Sequence, residues 1–322
     1  MATESGVHDA DMAKQLTRKP RPFERFIVGS LFIAGAISIA VTVGILWELG
    51  SESLLFFLDE QVSLGKFFLS TEWSPQAGSF GIWPLILGTM LITLIALLVA
   101  IPVGLAAAIY LSEYASARVR NFFKPVLEIL VGIPTVVFGF FALTFMTPLL
   151  RSIFGSQVGF FNVLSAGMVV GLLIVPLVSS LAEDAMAAVP NSLRQASYGL
   201  GASRLETSLR VVFPAALSGI AAGVVVAMSR AVGETMVVTL ASGASPRNFM
   251  FGEDPLFGYI LSPFEGAQTM TGYIAITASG DISYDTIDYN SIFAIGLTLF
   301  VITLGLNSLS RRIVKRFRQE YE

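Results

Sequence analysis

Apolar residues gather along this chain in six long runs: Phe26 to Trp47, Ile82 to Leu111, Val126 to Leu150, Phe160 to Leu181, Leu217 to Leu240 and Ser291 to Leu309. A helix rises 1.5 Å per residue, so about 20 consecutive apolar positions cross the ~30 Å hydrocarbon layer of a bilayer. Each run therefore predicts a membrane-crossing helix, and the fold class expected is all-α, a polytopic membrane protein with six transmembrane helices. A transmembrane barrel is excluded, because its strands alternate between apolar and polar positions. The first run is too long for the apolar region of a cleaved signal peptide and reads as an uncleaved anchor. Residues 1–23 read as a flexible tail, 24–310 as the transmembrane domain and 311–322 as a basic tail.

Composition agrees with the pattern: 54% of residues are hydrophobic and 13% charged, with a mean hydropathy of +0.73. The net charge of −3 matters less than its distribution across the six runs. Placing the N-terminus in the cytoplasm puts Lys14, Arg18, Lys19, Arg21 and Arg25 inside, followed by Arg118, Arg120, Lys124, Arg194, Arg204 and Arg210. Arg311, Arg312, Lys315, Arg316 and Arg318 join them, leaving only Lys66, Arg151 and Arg247 outside. Positive residues collect on cytoplasmic loops, so both termini are expected there. The extracytoplasmic loops, 48–81 and 244–290, are mainly acidic, with Glu48, Glu52, Asp59, Glu60 and Glu72 in the first. The second carries Glu253, Asp254, Glu265, Asp281, Asp285 and Asp288. Such charge serves solvation, or docking of a soluble partner.

The chain has no cysteine, and its one histidine, His8, lies in the polar tail. Disulfide frameworks and thiolate metal sites are thereby excluded, and no catalytic residue, metal or cofactor is expected. Pro102, Pro134 and Pro176 and glycines such as Gly104, Gly132, Gly139, Gly167 and Gly171 fall inside the runs. Small residues let membrane helices approach closely, and proline frees a backbone carbonyl.

Arg230 and Glu234 are the charges that need a reason, since they interrupt the fifth run four residues apart. On a helix that spacing places both on one face. Each costs roughly 2.5–3.5 kcal/mol at the centre of a spanning helix, which lipid contact does not offset. They are expected to face protein or a watery path, as a substrate pathway or gate, or to form a salt bridge that fixes helix rotation. Glu128, at the edge of the third run, is expected to pair with Lys124 at the interface.

The polar stretch 183–214, EDAMAAVPNSLRQASYGLGASRLETSLRVVFP, carries two helix starts. Ser192 with Gln195, and Ser203 with Glu206, each fit the reciprocal capping box. Leu193, Ala196 or Ser197, and Leu200 predict a weakly apolar ridge on the first of these helices. That ridge suits a partner's groove or the surface of lipid headgroups.

This stretch resembles the EAA loop of ABC-importer permeases: E-A-A, three residues, G, nine residues, I, one residue, L-P. Here Gln195, Ala196 and Ser197 stand for E-A-A, then Gly201, nine residues, Val211, and Phe213 and Pro214 for L-P. The spacing is kept, while Gln, Ser, Val and Phe replace family residues. The resemblance implies that Gln195, Ala196, Ser197, Gly201 and Pro214 belong to a coupling loop that docks on an ATPase. TEWSPQAGSFGIWPLILGT, LEILVGIPTVVFG, SRAVGETMVV and QTMTGYIA are similar to phosphate-specific permeases of the PstC type, over most of Trp73 to Leu309. PstA-type permeases share several of these stretches.

That resemblance implies a permease subunit of an ATP-driven phosphate importer, with a second, PstA-type permease and two copies of a PstB-type cytoplasmic ATPase. A PstS-type extracytoplasmic phosphate-binding protein would deliver substrate, the bilayer is the other contact, and no nucleic acid is implied. The chain has no G-x-x-x-x-G-K-[ST] loop, so ATP is expected to be bound and hydrolysed by a partner subunit. The family also depends on an Arg and a Glu at the positions of Arg230 and Glu234. A sulfate or molybdate permease and a membrane component of a phosphate-sensing complex are the alternatives. The implied location is a bacterial or archaeal plasma membrane. Arg230 lies 16 residues beyond Pro214, about 24 Å along one continuous helix.

Overall fold

A computed structural model describes residues 22–250, 252–280, 283–284 and 286–317. The expected tail up to residue 21, with His8, lies outside the described residues, as do Asp281, Asp285 and Arg318. The chain divides into two compact units, up to Leu49 and from Gly50 onward. Among the described residues, six helices are long and apolar enough to cross a membrane.

The first long helix, α1, spans Pro22–Leu58. In the first unit Leu31, Phe32, Ile33, Ile37 and Ile39 are all exposed on successive turns. A helix apolar on every side has no preferred aqueous face and belongs in lipid. α1 runs eleven residues beyond the apolar run that ends at Trp47, so residues 48–58 of the expected outer loop are helical.

In the second unit, α2 (Leu64–Leu69) and a short hairpin, β1 (Trp73–Ser74) with β2 (Ser79–Phe80), precede α3 (Trp83–Ile109). Trp73 pairs with Phe80 across the hairpin. Phe56, Phe67, Trp73, Phe80 and Tyr273 bury together there, with Trp73 edge-on to Tyr273 at 5.0 Å. The third span joins α5 (Thr135–Phe141) to α6 (Thr147–Phe154), and the fourth is α7 (Val163–Ala187). α8 (Asn191–Gly199) and α9 (Arg204–Thr207) follow outside the spans, then α10 (Phe213–Val232) and α11 (Met236–Ser242). α12 (Met270–Ser279) falls within the expected outer loop, and α13 (Ile287–Phe317) is the last span.

α7 is the hub, packing on α3, α10 and α11. Its contact with α3 is set by small residues: a Cβ on Gly167 would lie 2.7 Å from Ile95, and one on Gly104 2.7 Å from Val178. The two backbones therefore approach more closely than side chains would allow. Asn162 caps α7 by accepting from the Ser165 amide at 2.7 Å, while its own amide donates to Thr147 and Gly159.

Three sequence expectations change. The third span begins at Thr135 and not at Val126, because α4 (Ala117–Val131) is a separate helix that ends before Gly132-Ile133-Pro134. The residue before a proline is pushed out of helical conformation, which accounts for the break. The fifth run is two helices, since α10 stops at Val232 and α11 starts at Met236. Ser192 caps nothing, for α8 already starts at Asn191 behind Pro190; only the Ser203–Glu206 box forms.

Three spans also carry a widened turn closed by a bond from residue i+5 to i. These turns are Ala115 to Tyr110, Thr147 to Ala142, and Phe213 to Ser208.

Candidate transport gate and coupling end

The break between α10 and α11 builds the first part of the site. Gly233 ends α10 with its amide on the Ser229 carbonyl, and the Glu234 amide reaches only Ala231. The Glu234 carbonyl accepts a 2.7 Å bond from the Thr271 hydroxyl at the start of α12, so a third element holds the break open. One residue before Arg230, Ser229 donates to Asn307 of α13 at 2.8 Å.

Arg230 and Glu234 do meet, with Nη1 and Oε2 3.4 Å apart, but they do so across the unwound segment. Their side chains differ sharply in access, at 44% and 2% exposed. Glu234 Oε1 accepts a long 3.4 Å bond from the Val237 amide, and Oε2 has no hydrogen-bond partner among the described residues. A buried carboxylate so poorly satisfied is costly. Beside it lies a guanidinium with much of its donor fork open, an arrangement able to take a ligand that both accepts and donates hydrogen bonds.

Beyond α11 a cavity of about 740 Å³ opens among Leu143, Phe161, Thr239, Tyr259, Glu265 and Arg247. Arg247 is committed to the scaffold: it donates to the carbonyls of Tyr259, Ser262 and Gly266. Burial pulls its pKa below the ordinary arginine value, and Glu265 opposes that shift.

At the other end of the bundle, α8 shows which residues of the expected coupling loop are available. Gln195 and Ala196 are exposed, as is Leu200 at 90%. Ser197 is turned inward and bonds the Thr207 hydroxyl at 2.9 Å, holding α8 on α9. Leu193 likewise packs inward, so the expected ridge is split between two faces. Gly201 adopts φ +83°, a left-handed conformation that suits glycine, and lets the Ala202 amide turn back to Ser197. Pro214 occupies the first turn of α10, where its missing N–H costs nothing. α10 continues unbroken from there past Arg230.

Sequence reasoning missed the ion pairs at this end. Lys124 turns from Glu128 to Glu183 at 2.8 Å and Asp184 at 2.5 Å, and Arg120 also binds Glu183. The bonds to Asp184 and then Glu183 raise the Lys124 pKa. Arg194 of α8 binds Glu113, beyond α3, at 2.8 Å. Partners 81 and 59 residues apart leave no periodic trace, although Glu113 closing an apolar run was a visible oddity.

Residues 100–319 match the family described as "Binding-protein-dependent transport system inner membrane component". The chain belongs to that family. It is 35% identical to the probable ABC transporter permease protein YqgH of Bacillus subtilis (strain 168), over 87% of each chain. It is 30% identical to the phosphate transport system permease protein PstC of Mesorhizobium japonicum, over 97% of this chain and 98% of that one. The fold is similar to that of a bacterial alginate ABC transporter solved in complex with alginate pentasaccharide-bound periplasmic protein. The TM-score is 0.59 at 17% identity, covering 92% of this chain and 99% of the other. With six apolar spans, this member of the family is a multi-pass membrane protein, and its relatives are transport permease subunits.

Proposed function

We propose that this chain is a permease subunit of an ATP-driven phosphate importer, enclosing half of the pathway beside a second permease. An extracytoplasmic binding protein would deliver phosphate, and a cytoplasmic ATPase would engage α8. The termini and α8 would face the cytoplasm, in keeping with the basic residues gathered at that end. Similarity to phosphate permeases over nearly the whole chain supports the substrate. The observation that carries the mechanism is the pairing of Arg230 with Glu234 at a break in one span.

Phosphate near neutral pH keeps at least one proton. Arg230 can donate to its charged oxygens while the open oxygen of Glu234 accepts from a P–OH group. Sulfate has no such proton, so the buried carboxylate would repel it. Without substrate the same two side chains hold each other at 3.4 Å and close the path.

The test is uptake of labelled phosphate into vesicles holding the chain with its partner permease, ATPase and binding protein. The expected result is ATP-dependent uptake that excess sulfate does not compete away. Uptake that proceeds without ATP, or transport of sulfate in place of phosphate, would overturn the reading.

A further inference from the structure

α8 has very little to grip the bundle with. Of its nine residues only Ser197 is buried and Leu193 is the one large apolar side chain packed against the core, so a force applied to its exposed side has little packed apolar surface to push through. What it has is Arg194, only 15% exposed, whose guanidinium reaches three other segments. Nη2 bonds Glu113 Oε1 at 2.8 Å and the Met186 carbonyl at 2.9 Å, and Nη1 bonds the Val189 carbonyl at 2.6 Å. Met186 lies in the last turn of α7, where the negative end of the helix favours a cation.

Glu113 is 4% exposed and sits within the widened turn Tyr110–Tyr114 that prolongs α3. Such turns redirect a side chain and recur at functional positions. The neighbouring Tyr114 ring lies under Arg204 of α9, 5.2 Å from its guanidinium carbon. α8 is joined to α7 by three intervening residues, but only the Arg194–Glu113 contact ties it by an ion pair to the end of α3 among the described residues.

We infer that Arg194, through Glu113, the Met186 carbonyl of α7 and the Val189 carbonyl of the link that follows it, is the positioning residue that makes α8, α3 and α7 move as one body. It carries the stroke of the nucleotide-binding subunit into the spans. This inference rests on the proposed function, because it needs a partner that pushes on α8. Arg194 is suited to the task by its rigid planar fork, which serves three acceptors at once; a lysine ammonium on a flexible stem does not fix their mutual geometry.

The experiment reads uptake of inorganic phosphate and ATP hydrolysis in the same vesicles, for the intact complex and for complexes with Arg194→Ala, Arg194→Lys and Glu113→Gln. The expected result is ATP hydrolysis that persists while phosphate moved per ATP falls about tenfold in Arg194→Ala, with a smaller fall in the two milder variants. If Arg194→Ala does not assemble, the milder pair decide. A parent complex without ATP-driven uptake removes the proposed function, and this inference with it. A coupled parent whose assembled variants keep the parental ratio, whatever their absolute rates, overturns the inference alone.

Discussion

Glu183 and Glu234 are both buried, at 1% and 2% exposed, yet the protein treats them in opposite ways. Glu183 is enclosed by Arg120 and by Lys124, the latter at 2.8 Å, one cation for each carboxylate oxygen. Glu234 has a single cation at 3.4 Å and an oxygen with no hydrogen bond among the described residues. Both carry the desolvation cost of a buried charge, and only Glu183 recovers it locally. A satisfied buried charge fixes structure; an under-satisfied one, held beside an open guanidinium at a broken helix, has the arrangement that the proposed transport role requires.

The largest effect expected from this contrast is at the break. Glu234→Gln should leave stability within about 1 kcal/mol, because no good hydrogen bond is lost. Phosphate uptake should nevertheless fall about 100-fold, the scale of truncating one member of a buried charge pair. Arg230→Gln should cost stability as well, since it strands a buried carboxylate. Thermal unfolding in detergent beside vesicle uptake measures both, and normal uptake in the two variants would abolish the contrast.

Glu183→Gln should behave the other way round, losing about 2–3 kcal/mol of stability, because its two cations are partly exposed and can turn to water. Uptake per folded complex should then be nearly unchanged. Gly167→Val serves as an uncharged control: the Cβ at 2.7 Å from Ile95 should wedge α3 from α7 at about 1–3 kcal/mol. If this variant lost uptake beyond its loss of folded protein, stability and transport would not be separable as claimed.

The smallest effect concerns a fully exposed carboxylate. Glu206 accepts from the Ser203 amide and hydroxyl, and these bonds lower its pKa. Its stabilisation is thus present above the unfolded value of about 4.3 and is lost as pH falls through the lower folded value. The protection factors of the α9 amides, corrected for the intrinsic pH dependence of exchange, should fall as the pH drops below the ordinary carboxylate range in the parent, with no such step in Glu206→Gln.

The six spans were legible because an apolar run of about 20 residues has few other uses. The family resemblance of 195–214 was legible because its spacing survives four substitutions. Two features were hidden for distinct physical reasons. One unwound turn at Gly233–Thr235 leaves the apolar pattern on both sides intact, so α10 and α11 read as one helix. The pairs Arg194–Glu113 and Lys124–Glu183 join residues far apart in sequence, whereas local pattern offers only near neighbours such as Lys124 and Glu128. Ser192 misled because serine starts helices only where no earlier residue does so, and Pro190 comes first.

The widened turn at Ser208–Val212 has a consequence for how this chain tolerates change in length. It holds one residue more than an ordinary helical turn, and each residue advances a helix by roughly 100°. Deleting one residue there would let the turn close as a regular helix while everything downstream keeps its angular position, because the wide turn already absorbs the extra residue. The same deletion within the regular turns of α10 would instead swing Arg230, Glu234 and the Gly219–Gly223 seam against α7 to a different side of the bundle. A single-codon deletion is thus better tolerated at this point than a few residues further on, where it acts as a change of phase.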